Sequence, residues 1–116
     1  MQTKIVLHAD ELSRLPELFG NLANLVKYQT QHPTDQITVT VVLNGDAIMA
    51  YLMPSVTEKI ATYLQAKMTI EFHACNNSLS SHGIAATQLP TGVIVVPAGV
   101  LDLALLQDHG FRYIKP

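Results

Sequence analysis

The single cysteine of the chain, Cys75, follows the strand-like run Met68 to His73 and stands directly before Asn76-Asn77-Ser78. A strand end that leads into a helix start offers free backbone N–H groups and a helix dipole, both of which favour a thiolate over a thiol. The thiolate is the nucleophilic form of the residue. A cysteine in this place is also well suited to be a small buried apolar side chain, and its position leaves the two readings open. His73 lies two residues before Cys75 and shares its face if the strand continues, while His8 closes another apolar run. Either could act as acid or base toward the thiol, and either could be a hydrogen-bonded structural residue. Hydrolysis by such a pair lacks an evident orienting residue. Asp10 and Asp46 follow apolar runs and read as turn and cap residues rather than catalytic carboxylates. His8, His73 and Cys75 lack the short repeated spacing of a zinc site, so no metal is expected, and His32, His82 and His109 sit in polar contexts as solvated side chains.

The elements that must hold these residues follow from periodicity. Lys4–His8 is a continuous branched run that suits a strand covered on both faces. Ser13 is expected to cap a helix that has Pro16 in its first turn and runs to about Tyr28, with Leu15, Leu18, Phe19, Leu22, Leu25 and Val26 gathered on one face. Ile37–Leu43 is a β-branched strand closed by Asn44-Gly45-Asp46, and Asp46 is expected to cap a short helix that ends at Leu52. Ser55 and Glu58 have the spacing of a capping box ahead of Val56, Ile60, Tyr63 and Leu64. Met68–His73 reads as a third strand, and Asn76–His82 as a loop or short helix with Gly83 as a left-handed cap. Val93–Val96 is a fourth strand, Ala98–Asp108 a helix closed by Gly110, and Phe111–Ile114 a short edge strand.

Strands alternating with helices predict an α/β fold, a five-stranded and mostly parallel sheet with helices on both faces, in one domain over residues 1–116. Sites in such sheets collect beyond the carboxyl ends of the strands. Those ends carry His8 with Asp10, Asn44 with Gly45, His73 with Cys75, Asn76, Asn77 and Ser78, and Pro97 with Gly99. Four loops are therefore expected to meet on one edge around Cys75.

Composition removes several partners. Seven Lys and Arg against nine Asp and Glu give a net charge of −2, too little positive field for a phosphate backbone, and nucleic acid is not expected. The longest apolar stretch, Val93 to Leu101, contains Pro97 and falls well short of the roughly 20 residues of a membrane span. With one cysteine and no signal-peptide pattern near Met1, the expected compartment is the cytoplasm. Charged residues make up 14% of the chain, against about 25% in an average soluble domain, which predicts apolar surface left over after folding and hence a homo-oligomer. Dinucleotide, P-loop and serine-nucleophile motifs are all missing, and no cofactor is expected.

Cys75-Asn76-Asn77-Ser78-Leu79 after the third strand, Gly83-Ile84 beyond it, and the closing runs Gly92 to Val100 and Leu106 to Pro116 together resemble the DsrE/DsrF-like family over nearly the whole chain. The resemblance implies a three-layer α/β/α domain with strand order 4-3-2-1-5, assembled as a homotrimer or hexamer. It also implies sulfur chemistry, because the sulfur-relay members carry sulfur as a persulfide on a cysteine after the third strand, a role that falls here on Cys75. One thiol per chain then requires a sulfur donor protein and an acceptor, either another protein or another subunit. The alternative is a non-catalytic interaction or small-ligand module in which Cys75 packs.

Overall fold

Ile37, Val39, Val41 and Leu43 alternate along Gln36–Leu43 (β2), and all four are buried. Residues of this kind suit the middle of a sheet. Gln2–Ala9 (β1) pairs with β2 on one side and Thr69–Cys75 (β3) on the other, both parallel to it. Ile94–Val96 (β4) extends the sheet from β3, and Phe111–Ile114 (β5) extends it from β1. The order is β4-β3-β2-β1-β5, and every pairing is parallel, so no antiparallel strand interrupts the sheet. This computed structural model describes residues 1–116.

The two faces of the sheet are chemically different. Ile5, Leu7, Val39, Val41, Ile70 and Phe72 point to one face, where Leu15–Gln31 (α1), a 3-10 segment over Gly45–Leu52 and Pro54–Leu64 (α2) cover them in a core of 23 buried residues. By the two-residue period of a strand, the opposite face carries Lys4, Val6 and His8 of β1, Thr38, Thr40 and Val42 of β2, and Glu71, His73 and Cys75 of β3. Gly99–Asp108 (α4) packs on that face. One face thus supplies most of the hydrophobic stabilisation, and the other is polar enough to carry a site.

Three expected helix caps are replaced by other devices. Helix α1 begins at Leu15 after a 3-10 turn over Leu12–Arg14, and the Ser13 hydroxyl donates to Glu11 at 3.4 Å instead of capping. Helix α2 begins at Pro54, so Ser55 and Glu58 lie within the helix and form no capping box. Asp46 lies inside the 3-10 segment and turns to His82, whose Nε2 is 3.0 Å away. At both helix starts a proline with its φ preset and no N–H to satisfy marks the first turn, and no capping side chain is needed. The expected left-handed cap is present at Gly83, with φ +65°, and the Ile84 N–H reaches back to the Leu79 carbonyl at 2.9 Å.

Tyr51, 1% exposed, ties the 3-10 segment to the sheet by donating from its hydroxyl to the His73 carbonyl at 2.8 Å. Burial holds this phenol well above the ordinary tyrosine range, so the hydroxyl remains a donor. Tyr51→Phe keeps the volume and removes the bond. It should cost about 1 kcal/mol in urea unfolding, and an unchanged midpoint would show that the bond contributes nothing.

Candidate functional site

Strand β3 runs two residues further than the sequence suggests, because Ala74 pairs with Leu43 and Cys75 with Val96. Cys75 is therefore the last rung of the ladder and also the N-cap residue of the short helix Asn76–Ser81 (α3). Its side chain points to the α4 face, where the Gly99 N–H donates to its Sγ at 3.2 Å. The backbone at that contact is closely packed. A Cβ on residue 99 would stand 3.1 Å from Asn44 Cβ and 3.3 Å from Cys75 Cβ, closer than side chains normally pack.

A second chain of donors reaches the thiol through Ser78. The Gly45 N–H donates to Ser78 Oγ at 2.8 Å, which leaves the hydroxyl proton free for the sulfur. Gly45 adopts φ +53° with the Asp10 carbonyl oxygen 2.9 Å from where a Cβ would lie, so this turn is closed to other residues. Burial pushes the Cys75 thiol up, but the Ser78 hydroxyl and the N–H groups of Ser78, Gly99 and Asn77 together outweigh it, and the net direction is below the ordinary thiol value. Ser78→Ala removes the leading donor. Alkylation of Cys75 at neutral pH should then slow by roughly tenfold, the worth of one hydrogen bond to a charged acceptor, with its pH midpoint moved upward. An unmoved midpoint would remove Ser78 from the site.

Neither histidine meets the thiol. Asn44 presents Oδ1 to His8 Nε2 at 2.8 Å, so Nε2 carries the hydrogen and Nδ1 accepts from the Tyr113 hydroxyl at 2.6 Å. His8 therefore bears on Cys75 only through Asn44, whose Nδ2 lies against Gly99. His73 Nδ1 is 2.7 Å from Asp102 and its Nε2 is 2.9 Å from Glu71, which leaves no ring nitrogen for Cys75. Asp10 pairs with Lys115 at 3.4 Å, away from the sulfur. Pro97, Asn76 and Asn77 are exposed around the edge. His82 is half-buried between the Ser78 carbonyl and Asp46, a correction to the solvated side chain expected, whereas His32 and His109 are exposed.

The four loops do converge, yet they close over the thiol instead of forming a pocket. Cys75 is 5% exposed, and the cavities of the molecule lie elsewhere, a polar one of about 390 Å³ being lined by Gln2, Lys4, Thr38 and Arg112 at the opposite end of the strands. No group of three His, Cys, Asp or Glu side chains is arranged to hold a metal ion. Sequence reasoning missed Glu71, Asp102 and Tyr113. Alternation along β3 could have placed Glu71 with His73 and Cys75, but Asp102 and Tyr113 join them only through the packing of α4 and β5.

These features define an all-parallel α/β protein with an acidified, covered thiol at the carboxyl edge of its sheet. The chain belongs to the DsrE/DsrF-like family, whose model matches residues 5–116. Its fold is similar to that of a protein of unknown function, MTH1491 from Methanobacterium thermoautotrophicum, at 24% identity and a TM-score of 0.77 over 99% of this chain and 98% of that one. It is also similar to the ychN protein from E. coli, at 15% identity and a TM-score of 0.71 over the whole of both chains. None of the curated proteins compared matches the chain.

Proposed function

We propose that this protein is a cytoplasmic sulfur carrier, sulfurtransferase-like in its chemistry, that holds sulfur as a persulfide on Cys75 between a donor and an acceptor protein. The observation that supports it is the donor set on the Cys75 sulfur, where Ser78, Asn77 and Gly99 favour the thiolate in spite of burial. In the loading step the Cys75 thiolate attacks the outer sulfur of a donor persulfide, R–S–SH. The donor S–S bond breaks, R–S⁻ leaves with the bonding pair, and Cys75–S–SH forms with no external oxidant or reductant. Membership of the DsrE/DsrF-like family is consistent with this role.

The same reading takes the working form as a homotrimer or hexamer. Helix α4 is apolar on all sides, and a helix of that kind is normally enclosed. Val100 is 75% exposed, Leu101 53% and Leu105 47%, with Ile94 of β4 uncovered beside the His73 strand. Copies of this chain are the partners that such a surface suits.

The 5% exposure of Cys75 favours a second reading, an interaction or small-ligand module in which the thiol only packs. Incubation of the native protein with inorganic polysulfide, followed by intact-mass measurement and peptide mapping, separates the two. The carrier reading expects a gain of one sulfur atom on Cys75. A protein that takes up no sulfur, and whose Cys75 reacts with iodoacetamide only after unfolding, is the module.

A further inference from the structure

Helix α4 touches β3 through two polar contacts made from a single turn. Gly99, its first residue, donates its N–H to Cys75 Sγ at 3.2 Å, and Asp102, three residues on, places a carboxylate oxygen 2.7 Å from His73 Nδ1. The two partners on β3, Cys75 accepting through Sγ and His73 donating through Nδ1, are two residues apart and so lie on one face of the sheet. Gly99 and Asp102 are three residues apart on α4 and so lie on one face of the helix, toward β3. The outward residues of this turn, Val100 and Leu101, are exposed, so they do not hold it to the sheet. The Asp102 and His73 side chains are only 13% and 8% exposed, a setting in which removal of one partner strands the other. On the far side of the imidazole, Glu71 takes Nε2 with a carboxylate that is half in solvent.

We propose that Asp102 and His73 are positioning residues for the thiol: their hydrogen bond seats the first turn of α4 on β3 and so keeps the Gly99 N–H on the Cys75 sulfur. The inference rests on Cys75 being the working thiol of the proposed carrier. Asp102 itself does not touch the reacting sulfur. It acts through the helix turn it anchors.

The test is the pH profile of Cys75 alkylation by iodoacetamide in the full native chain, together with hydrogen exchange at the Gly99 amide. Asp102→Ala should move the alkylation midpoint upward, slow the reaction at neutral pH about tenfold, and speed exchange at Gly99. Asp102→Asn retains an acceptor for the Nδ1 hydrogen and should restore most of both. Glu71→Gln, on the solvent side of the same ring, should change neither. A folded Asp102→Ala protein with the wild-type midpoint and a protected Gly99 amide overturns the proposal. If Asp102→Ala does not fold, the apolar pair His73→Phe with Asp102→Leu supplies the reading, because matched apolar replacement of a buried pair is commonly tolerated. A wild-type midpoint there overturns the proposal equally, and a raised one supports it. Sulfur uptake is absent from these readouts. A wild-type protein that takes up no sulfur ends the carrier reading without altering the midpoint comparison, and an unshifted midpoint ends the positioning role without altering sulfur uptake.

Discussion

Cys75→Ser should abolish the proposed sulfur loading completely while the protein stays folded. Serine fits the space left by the thiol and can accept the Gly99 N–H that Cys75 Sγ accepts at 3.2 Å. It cannot form the S–S bond that the proposed persulfide needs, and its hydroxyl stays protonated at any pH at which the protein folds. Intact-mass spectra after polysulfide treatment should show the added sulfur in the wild type and none in the variant, with matching circular dichroism. Residual loading of Cys75→Ser would place the sulfur elsewhere and end the assignment.

The same variant reports the acidity of the thiol through stability. Folding lowers the Cys75 pKa, so between the folded and unfolded values the unfolded chain binds more protons, and stability rises with pH. That contribution is fully present above the unfolded thiol value, about 8.5 in a free cysteine, and is lost as the pH falls through the folded one. Cys75→Ser should lack the rise. Urea midpoints of both proteins measured from neutral to alkaline pH show it as a difference in slope.

Leu101→Asp should break the proposed homo-oligomer. Leu101 is 53% exposed on α4, next to Val100 at 75%, and neither makes part of the core. Within a subunit the change is therefore mild, a surface substitution within about 0.5 kcal/mol. Across an interface it buries an unpaired carboxylate, at a cost of about 3–5 kcal/mol per contact, which weakens association by more than a hundredfold. Light scattering after size-exclusion chromatography at micromolar concentration should find trimers or hexamers for the wild type and monomers for the variant. A wild-type monomer would contradict the assembly, and a variant of unchanged mass would move the interface away from α4.

The order of the strands and helices along the chain, and the fold class, were legible in the sequence, although the helix N-caps and the end of β3 were not. The branched runs in β1 and β2 and the three-and-four spacing of Leu15, Leu18, Phe19 and Leu22 are local periodicities, each readable within a few turns of chain. Gly83 announced its left-handed cap because only a residue without a Cβ is comfortable there. Cys75 was legible as a thiol at a strand end for the same reason, since its neighbours in sequence place it. Tertiary structure alone decided what surrounds it. Gly99 reaches Cys75 across 24 residues, Asp102 reaches His73 across 29, and Tyr113 reaches His8 across 105. Those contacts depend on where α4 and β5 come to rest on the sheet. The helix settles by closing on a polar face that one helix only partly covers, and its apolar residues Val100, Leu101 and Leu105 are left facing outward. Hydrophobicity states that a side chain will be covered and is silent on whether its own chain or a second copy covers it. Hydrogen-bond partners are subject to the same limit: an imidazole shows in sequence that it needs two partners, and only the packed fold selects two carboxylates for His73 and none for the thiol.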